Sequence, residues 1–159
     1  MDRESNCTAL ETHPFIEDLK PSHIAALADC ARECSFLGGQ YLWRQGEQTD
    51  CCYLIRSGAV ALEISIPHHG PFRIETMGEG EMLCGSWLRP TYRWDFDARA
   101  LGPVDVIVLD GRMLREKCER DHSFGYALLL RFSLNIAARL QANRLRVLDA
   151  YGVSRSFAG

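Results

Sequence analysis

Between residues 36 and 62, FLGGQYLWRQGEQTDCCYLIRSGAVAL, glycines at 39, 46 and 58 interrupt runs of alternating apolar and polar residues at nearly regular intervals. A chain that must reverse direction every few residues is built this way. Glycine takes the positive φ that a tight reversal needs, and a period of two turns Leu42, Tyr53, Ile55, Val60 and Leu62 toward one interior. Further turn signals stand at Gly38-Gly39, Gln45-Gly46, Ser57-Gly58, His68-His69-Gly70-Pro71, Gly78 to Gly80 and Gly102-Pro103. They carry strands from about Cys34 to the run VDVIVLD at 104–110. Many short strands between regular turns predict an antiparallel β-roll or jelly roll.

The flanks read as helix. Residues 1–13 are polar and aperiodic, the pattern of a flexible lead, and order is expected to begin near Pro14. Ile24, Leu27, Ala28 and Ala31 recur at helical spacing behind Ser22, a predicted N-cap preceded by Pro21. The expected layout is one domain over 14–151, with helices at 14–34, the roll at 35–111, helices at 112–151 and a short tail at 152–159. The fold class is mainly β with flanking helices. In the long segment from 124 to 151 one apolar stripe runs Leu129, Phe132, Ile136, Leu140, Asn143, Val147, and another runs Leu130, Leu134, Ala137, Leu145, Leu148. Two stripes ask for two surfaces: one on the roll, the other on a second copy.

At 159 residues and 47% apolar content the chain can bury a core without staples. A formal charge of −3 offers no global attraction to nucleic acid or anionic membrane. No run approaches the roughly 18 apolar residues of a membrane span, and the amino terminus lacks the basic-then-apolar order of a secretion signal, so the expected compartment is the cytoplasm. The 7 cysteines are odd in number and irregular in spacing, which suits a reducing compartment better than a disulfide framework. Cys30, Cys34 and Cys84 read as small buried hydrophobes, and neither they nor Cys51-Cys52 with His68-His69 match a zinc or iron-sulfur spacing, so no metal is expected. No nucleophile elbow, P-loop or metalloprotease motif occurs, which predicts a non-enzyme without catalytic residues.

The order Phe36, Gly39, Leu42, Gly46, Asp50, Tyr53, Ile55, Gly58, Val60, continued by Gly78, Gly80, Gly85, Ala98 and Ala100, resembles the cyclic-nucleotide-binding-domain superfamily, the Crp/Fnr-like sensors, over residues 14–151. The resemblance implies short amino-terminal helices, a jelly roll and a long carboxy-terminal dimerisation helix. The seam candidates on that helix are Phe132, Ile136, Leu140, Asn143 and Val147, and the implied partner is a second copy. Transcription factors of the superfamily carry a helix-turn-helix after this helix. Only 8 residues follow Tyr151, so the chain resembles the sensor half alone and direct DNA binding is not expected.

In that family a Glu directly after a glycine accepts the ribose 2′-hydroxyl, and an Arg followed by Ser or Thr pairs the phosphate. Here Ser86 follows Gly85, while Trp94 and Asp95 stand where the Arg and the Ser or Thr are expected. A carboxylate beside a phosphate repels it. Arg93 reaches the phosphate position only by a one-residue slip, which would expose Phe96 or bury Asp97. The pocket candidates are Gly78, Gly80, Gly85, Ser86, Trp87, Arg93, Trp94 and Asp95. Aromatics and arginines alternate through SWLRPTYRWDFDARA, a composition that suits a planar ligand, a partner surface or a filled pocket. The segment also resembles the small cyclic-nucleotide-domain-like subunit of NAD-reducing soluble hydrogenases.

The expected function is a non-enzymatic regulatory sensor or adaptor with a degenerate phosphate-binding cassette, acting through protein contacts. Two alternatives stand beside it. One is an accessory subunit of an oxidoreductase, with a redox-enzyme partner and a nicotinamide nucleotide, NAD(P)H, as ligand. The other is a true cyclic AMP receiver using Arg93.

Overall fold

The computed structural model describes residues 3–48, 50–84 and 93–152. Its strands are β1 (Ala31–Phe36), β2 (Tyr41–Trp43), β3 (Cys51–Ser57), β4 (Val60–Ile66), β5 (Gly70–Met77), β6 (Met82–Cys84), β7 (Asp97–Ala100) and β8 (Val104–Asp110). They form two four-stranded antiparallel sheets, ordered β1-β8-β3-β6 and β2-β7-β4-β5. The roll predicted from the glycine spacing is therefore present, with β1 beginning earlier than the expected end of the helical flank at residue 34.

Two cores share the central strands. Ile55, Val106 and Val108 face the roll interior with Trp43, Val60, Leu62, Met77 and Leu83. Their neighbours Leu54, Ile107 and Leu109 face the other way, into a core capped by helices. Burial on both faces explains why VDVIVLD is almost continuously apolar rather than alternating. The turn between β3 and β4 admits only glycine: Gly58 has φ +87°, and a Cβ there would stand 2.3 Å from the Pro103 carbonyl oxygen.

The helices are α1 (Arg3–Glu11), α2 (Pro21–Ala28), α3 (Gly111–Arg120) and α4 (His122–Ala150), with a 3-10 turn at Pro14–Ile16. α1 corrects the reading of residues 1–13 as an unstructured lead. It contributes few apolar side chains, but Leu10 is fully buried, and the Asn6 amide donates to the carbonyls of Ala28 (3.3 Å) and Ala31 (2.8 Å). Those contacts are made by residues more than twenty positions away, so no local pattern announces them. The start of α2 is also corrected: Pro21 is its first residue, Lys20 holds the cap position, and the cap makes no side-chain hydrogen bond.

α4 opens on an Asp121 cap whose carboxylate accepts from the Phe124 N–H at 3.1 Å. Its first turns then bury Phe124, Leu128 and Phe132. Phe132, a seam candidate by spacing, packs edge-on against Phe15 at 4.9 Å in the protein's own core. The other seam candidates, Ile136, Leu140, Asn143 and Val147, are exposed. Arg139 and Arg146 of α4 both pair with Glu75 of β5, at 3.3 and 3.2 Å, so these charges secure the distal helix to the roll. Among the described residues no helix is long and apolar enough to cross a membrane.

Candidate functional site

The roll interior is closed by tryptophans. Trp43, the last residue of β2, stacks on Trp94 with ring centroids 3.7 Å apart and planes within 10°. Both are about 95% buried. Tyr53 tilts against Trp43 at 5.3 Å and Phe96 against Trp94 at 6.4 Å, so four aromatic rings form one cluster. The Trp43 indole N–H donates to the Phe96 carbonyl at 2.9 Å, which satisfies the polar edge of that ring in a dry setting. Sequence reading named Trp94 but missed Trp43. Leu42, the residue expected to point inward, is partly buried against the same core, and a register shift between Tyr41 and Trp43 interrupts the simple alternation.

The backbone fixes which way each residue points. Trp94 N–H donates to the Glu47 carbonyl (3.0 Å), and Gly46 N–H donates to the Trp94 carbonyl (2.8 Å). β7 then pairs with β4 in the register Glu63 to Asp97, Leu62 to Ala98 and Val60 to Ala100. Ala98 and Ala100 are fully buried in the roll, as an unslipped strand requires. Arg93 is exposed, and its guanidinium donates outward to the Gly46 carbonyl at 2.8 Å. Asp95 is exposed in the bend that follows Trp94.

Asp97 is buried in this register without any slip, which overturns the expectation that its burial would mark one. Its carboxylate accepts from the Gln45 N–H at 2.7 Å and from Arg44 at 3.2 Å. The neighbouring buried carboxylate, Glu63, accepts a two-pronged contact from Arg99, at 2.7 and 3.1 Å. The Arg99 hydrogen bonds hold the Glu63 carboxyl below its ordinary range, against the opposing effect of burial.

The glycine turn before β6 lies elsewhere. Gly80 takes φ +81° against the Pro14 ring and lines an open cleft of about 490 Å³ with Thr12, His13, Pro14, Ile55, Arg56, Ser57, Glu79 and Asp105. Its amides are already used. Gly78 N–H donates to the Glu81 carboxylate (2.6 Å), and Gly80 N–H donates to the Ile55 carbonyl (2.9 Å). The N–H groups of Gly78 and Gly80 are thus paired within the protein. Gly85, Ser86 and Trp87 lie outside the described residues.

His13 joins this turn to the amino-terminal helices. Its Nδ1 accepts from the Phe15 N–H at 3.1 Å, which assigns the proton to Nε2, 3.2 Å from the Ile55 carbonyl. Burial pushes the imidazole below its ordinary value and outweighs the backbone hydrogen bonds that favour the charged form. On the far side of the β3 strand, Asp50 binds Arg115 of α3 at 2.5 and 3.0 Å, and Gly111 approaches Asp50 so closely that a Cβ would lie 2.6 Å from its carboxylate. Asp50 thus ties the roll to the helix that follows it. Among the described residues no group of three or more His, Cys, Asp or Glu is arranged to hold a metal ion.

Cys84, read as a small buried hydrophobe, is bonded to Cys52 directly opposite it on β3, with Cα atoms 4.5 Å apart. Irregular spacing along the chain could not reveal the pair, because strand pairing creates the proximity. The remaining cysteines, Cys7, Cys30, Cys34, Cys51 and Cys118, form no disulfide, and burial raises the Cys30 thiol to about 12.

The cyclic nucleotide-binding domain family model matches residues 33–121. Similar solved structures include a candidate cyclic nucleotide-binding protein of Geobacter metallireducens GS-15, at 25% identity and TM-score 0.72, covering 88% of this chain and 98% of that one. A cyclic nucleotide-binding domain of Methylobacillus flagellatus KT aligns at 20% identity and TM-score 0.77, covering 93% of this chain and 83% of that one. The sensor domain of the transcriptional regulator DNR of Pseudomonas aeruginosa aligns at 20% identity and TM-score 0.66, with coverage of 87% and 93%. No curated protein sequence matches the chain.

Proposed function

The chain belongs to the cyclic nucleotide-binding domain family, and on that premise we propose that it is a non-enzymatic regulatory domain whose phosphate-binding cassette is degenerate and whose output is a protein contact. The observation that carries this reading is the position of Trp94. It stands where the family's phosphate-binding Arg is expected and is stacked on Trp43 inside the roll, while Arg93 turns outward to the Gly46 carbonyl. An indole offers no charge to a phosphate, and a guanidinium on the outer surface offers none to the interior.

The contact surface in this reading is α4. Ile136, Leu140 and Val147 expose more than half of their surface on a helix that Glu75 secures to the roll, and a second copy of the chain is the partner that the seam spacing fits.

Thermal unfolding of the purified chain with cyclic AMP, cyclic GMP, NADH and NADPH tests the proposal. A ligand at a hundred times its dissociation constant stabilises by about 2.7 kcal/mol. The expected result is no shift with either cyclic nucleotide. A saturable shift with cyclic AMP that Arg93→Ala abolishes would overturn the degenerate cassette in favour of the receiver reading. A shift with NADH or NADPH would instead favour the nicotinamide-nucleotide alternative. Light scattering at several concentrations, with Ile136→Glu as the disrupting variant, tests the second copy.

A further inference from the structure

We propose that Cys52 and Cys84 form a thiol–disulfide switch that fastens and releases β6. The inference goes beyond the function proposed above and does not depend on what the roll interior binds. It starts from the smallness of β6: three residues that, among the described residues, stand at the edge of their sheet and pair with β3 alone. The register puts Cys52 opposite Cys84, Tyr53 opposite Leu83 and Leu54 opposite Met82. A Cα separation of 4.5 Å is that of a non-hydrogen-bonded antiparallel pair. The ladder bonds of β6 therefore fall at Leu83, and the next backbone tie is the Ile55 N–H to the Glu81 carbonyl at 2.9 Å. Beyond Leu83, the described fastening of the strand end is the bridge.

What the bridge holds matters to both cores. Met82 lies in the helix-capped core and Leu83 in the roll core, each 2% exposed, so β6 is a staple between them. Cys52 is fully buried, whereas Cys84 is only partly buried and is the sulfur that a reductant reaches. A thiolate of a dithiol reductant attacks Cys84 Sγ, and Cys52 leaves as a thiolate that takes up a proton. The second reductant thiol then attacks the mixed disulfide and releases Cys84. Two electrons and two protons pass to the protein, and the reductant becomes a cyclic disulfide. A disulfide oxidant reverses the step. The remaining cysteines lack this arrangement, and burial raises the thiols of Cys30, Cys51 and Cys118, which slows their exchange.

The test uses the full chain, poised with oxidised or reduced dithiothreitol, then alkylated under denaturing conditions and mapped by mass spectrometry. Oxidised protein should carry label on the five cysteines outside the bridge only, and reduced protein on all 7. Hydrogen exchange in the stretch 78–84 should accelerate about tenfold or more on reduction, as expected when a cross-link holding an edge strand is cut. Cys84→Ser should exchange like reduced wild type under both conditions. Full labelling after oxidation, a bridge mapped to other cysteines, or unchanged exchange on reduction of the wild type would each overturn the proposal, the last without needing any variant.

Discussion

Replacing Trp94 by Ala is the sharpest probe of the filled interior. The indole is 5% exposed, stacked at 3.7 Å on Trp43 and flanked by Phe96, while its backbone is held at both N–H and carbonyl by the 46–47 segment. The backbone clamps make collapse into the vacated space difficult, so the cost should lie toward the upper part of the range for large aromatic truncations, about 4 kcal/mol. That figure includes the stacking, worth about 1 kcal/mol beyond area. Urea unfolding followed by far-ultraviolet circular dichroism, which does not depend on the deleted fluorophore, measures it. Trp94→Phe should cost less than half as much, and Arg93→Ala, at an exposed site with one carbonyl contact, about 0.5–1 kcal/mol. Millimolar indole should partly restore the Ala variant by entering the cavity. A loss below about 1 kcal/mol for Trp94→Ala, or a larger one for Arg93→Ala, would refute the assignment of which side chain faces inward.

Two further outcomes follow from the buried charges. Arg99→Ala leaves Glu63 buried and unpaired, and because Arg99 itself is partly exposed the loss should be about 2–3 kcal/mol, with Glu63→Gln costing less; paired urea titrations compare them. His13 has a folded pKa below the ordinary 6.5, so the unfolded chain binds the proton more readily. Its stabilising effect is complete above 6.5 and is lost as pH falls from there through the folded value. Melting temperatures between pH 5 and 8 should fall on the acid side for wild type, and His13→Gln should be flatter; an unchanged slope would remove His13 as the cause.

Much of the roll was legible because its determinants are local. Positive φ at Gly39, Gly46 and Gly58 is a property of single residues, and the apolar runs of β3 and β4 between those turns are a property of neighbours. The stripes on α4 were equally visible, although spacing alone assigned Phe132 to the seam and packing against Phe15 assigned it to the core. α1 escaped because its evidence is a buried Leu10 and an Asn6 amide bonded across to α2 and β1, neither of which has a periodic signature. The buried state of Asp97 escaped for a related reason: acids are usually solvated, and its partners Arg44 and Gln45 arrive from the turn that follows β2.

Sequence alone therefore determined the turn positions, the strand class and the long terminal helix, since each is written in residues at fixed short separations. Only tertiary structure decided that Trp94 faces Trp43, that Arg93 faces out, that Gly78 and Gly80 have their amides occupied, and that Cys52 meets Cys84. Apart from the Gly78 to Glu81 contact within one turn, these join segments about 25 to 50 residues apart. Their geometry follows from strand register, and in a sheet a shift of one residue turns every side chain to the opposite face.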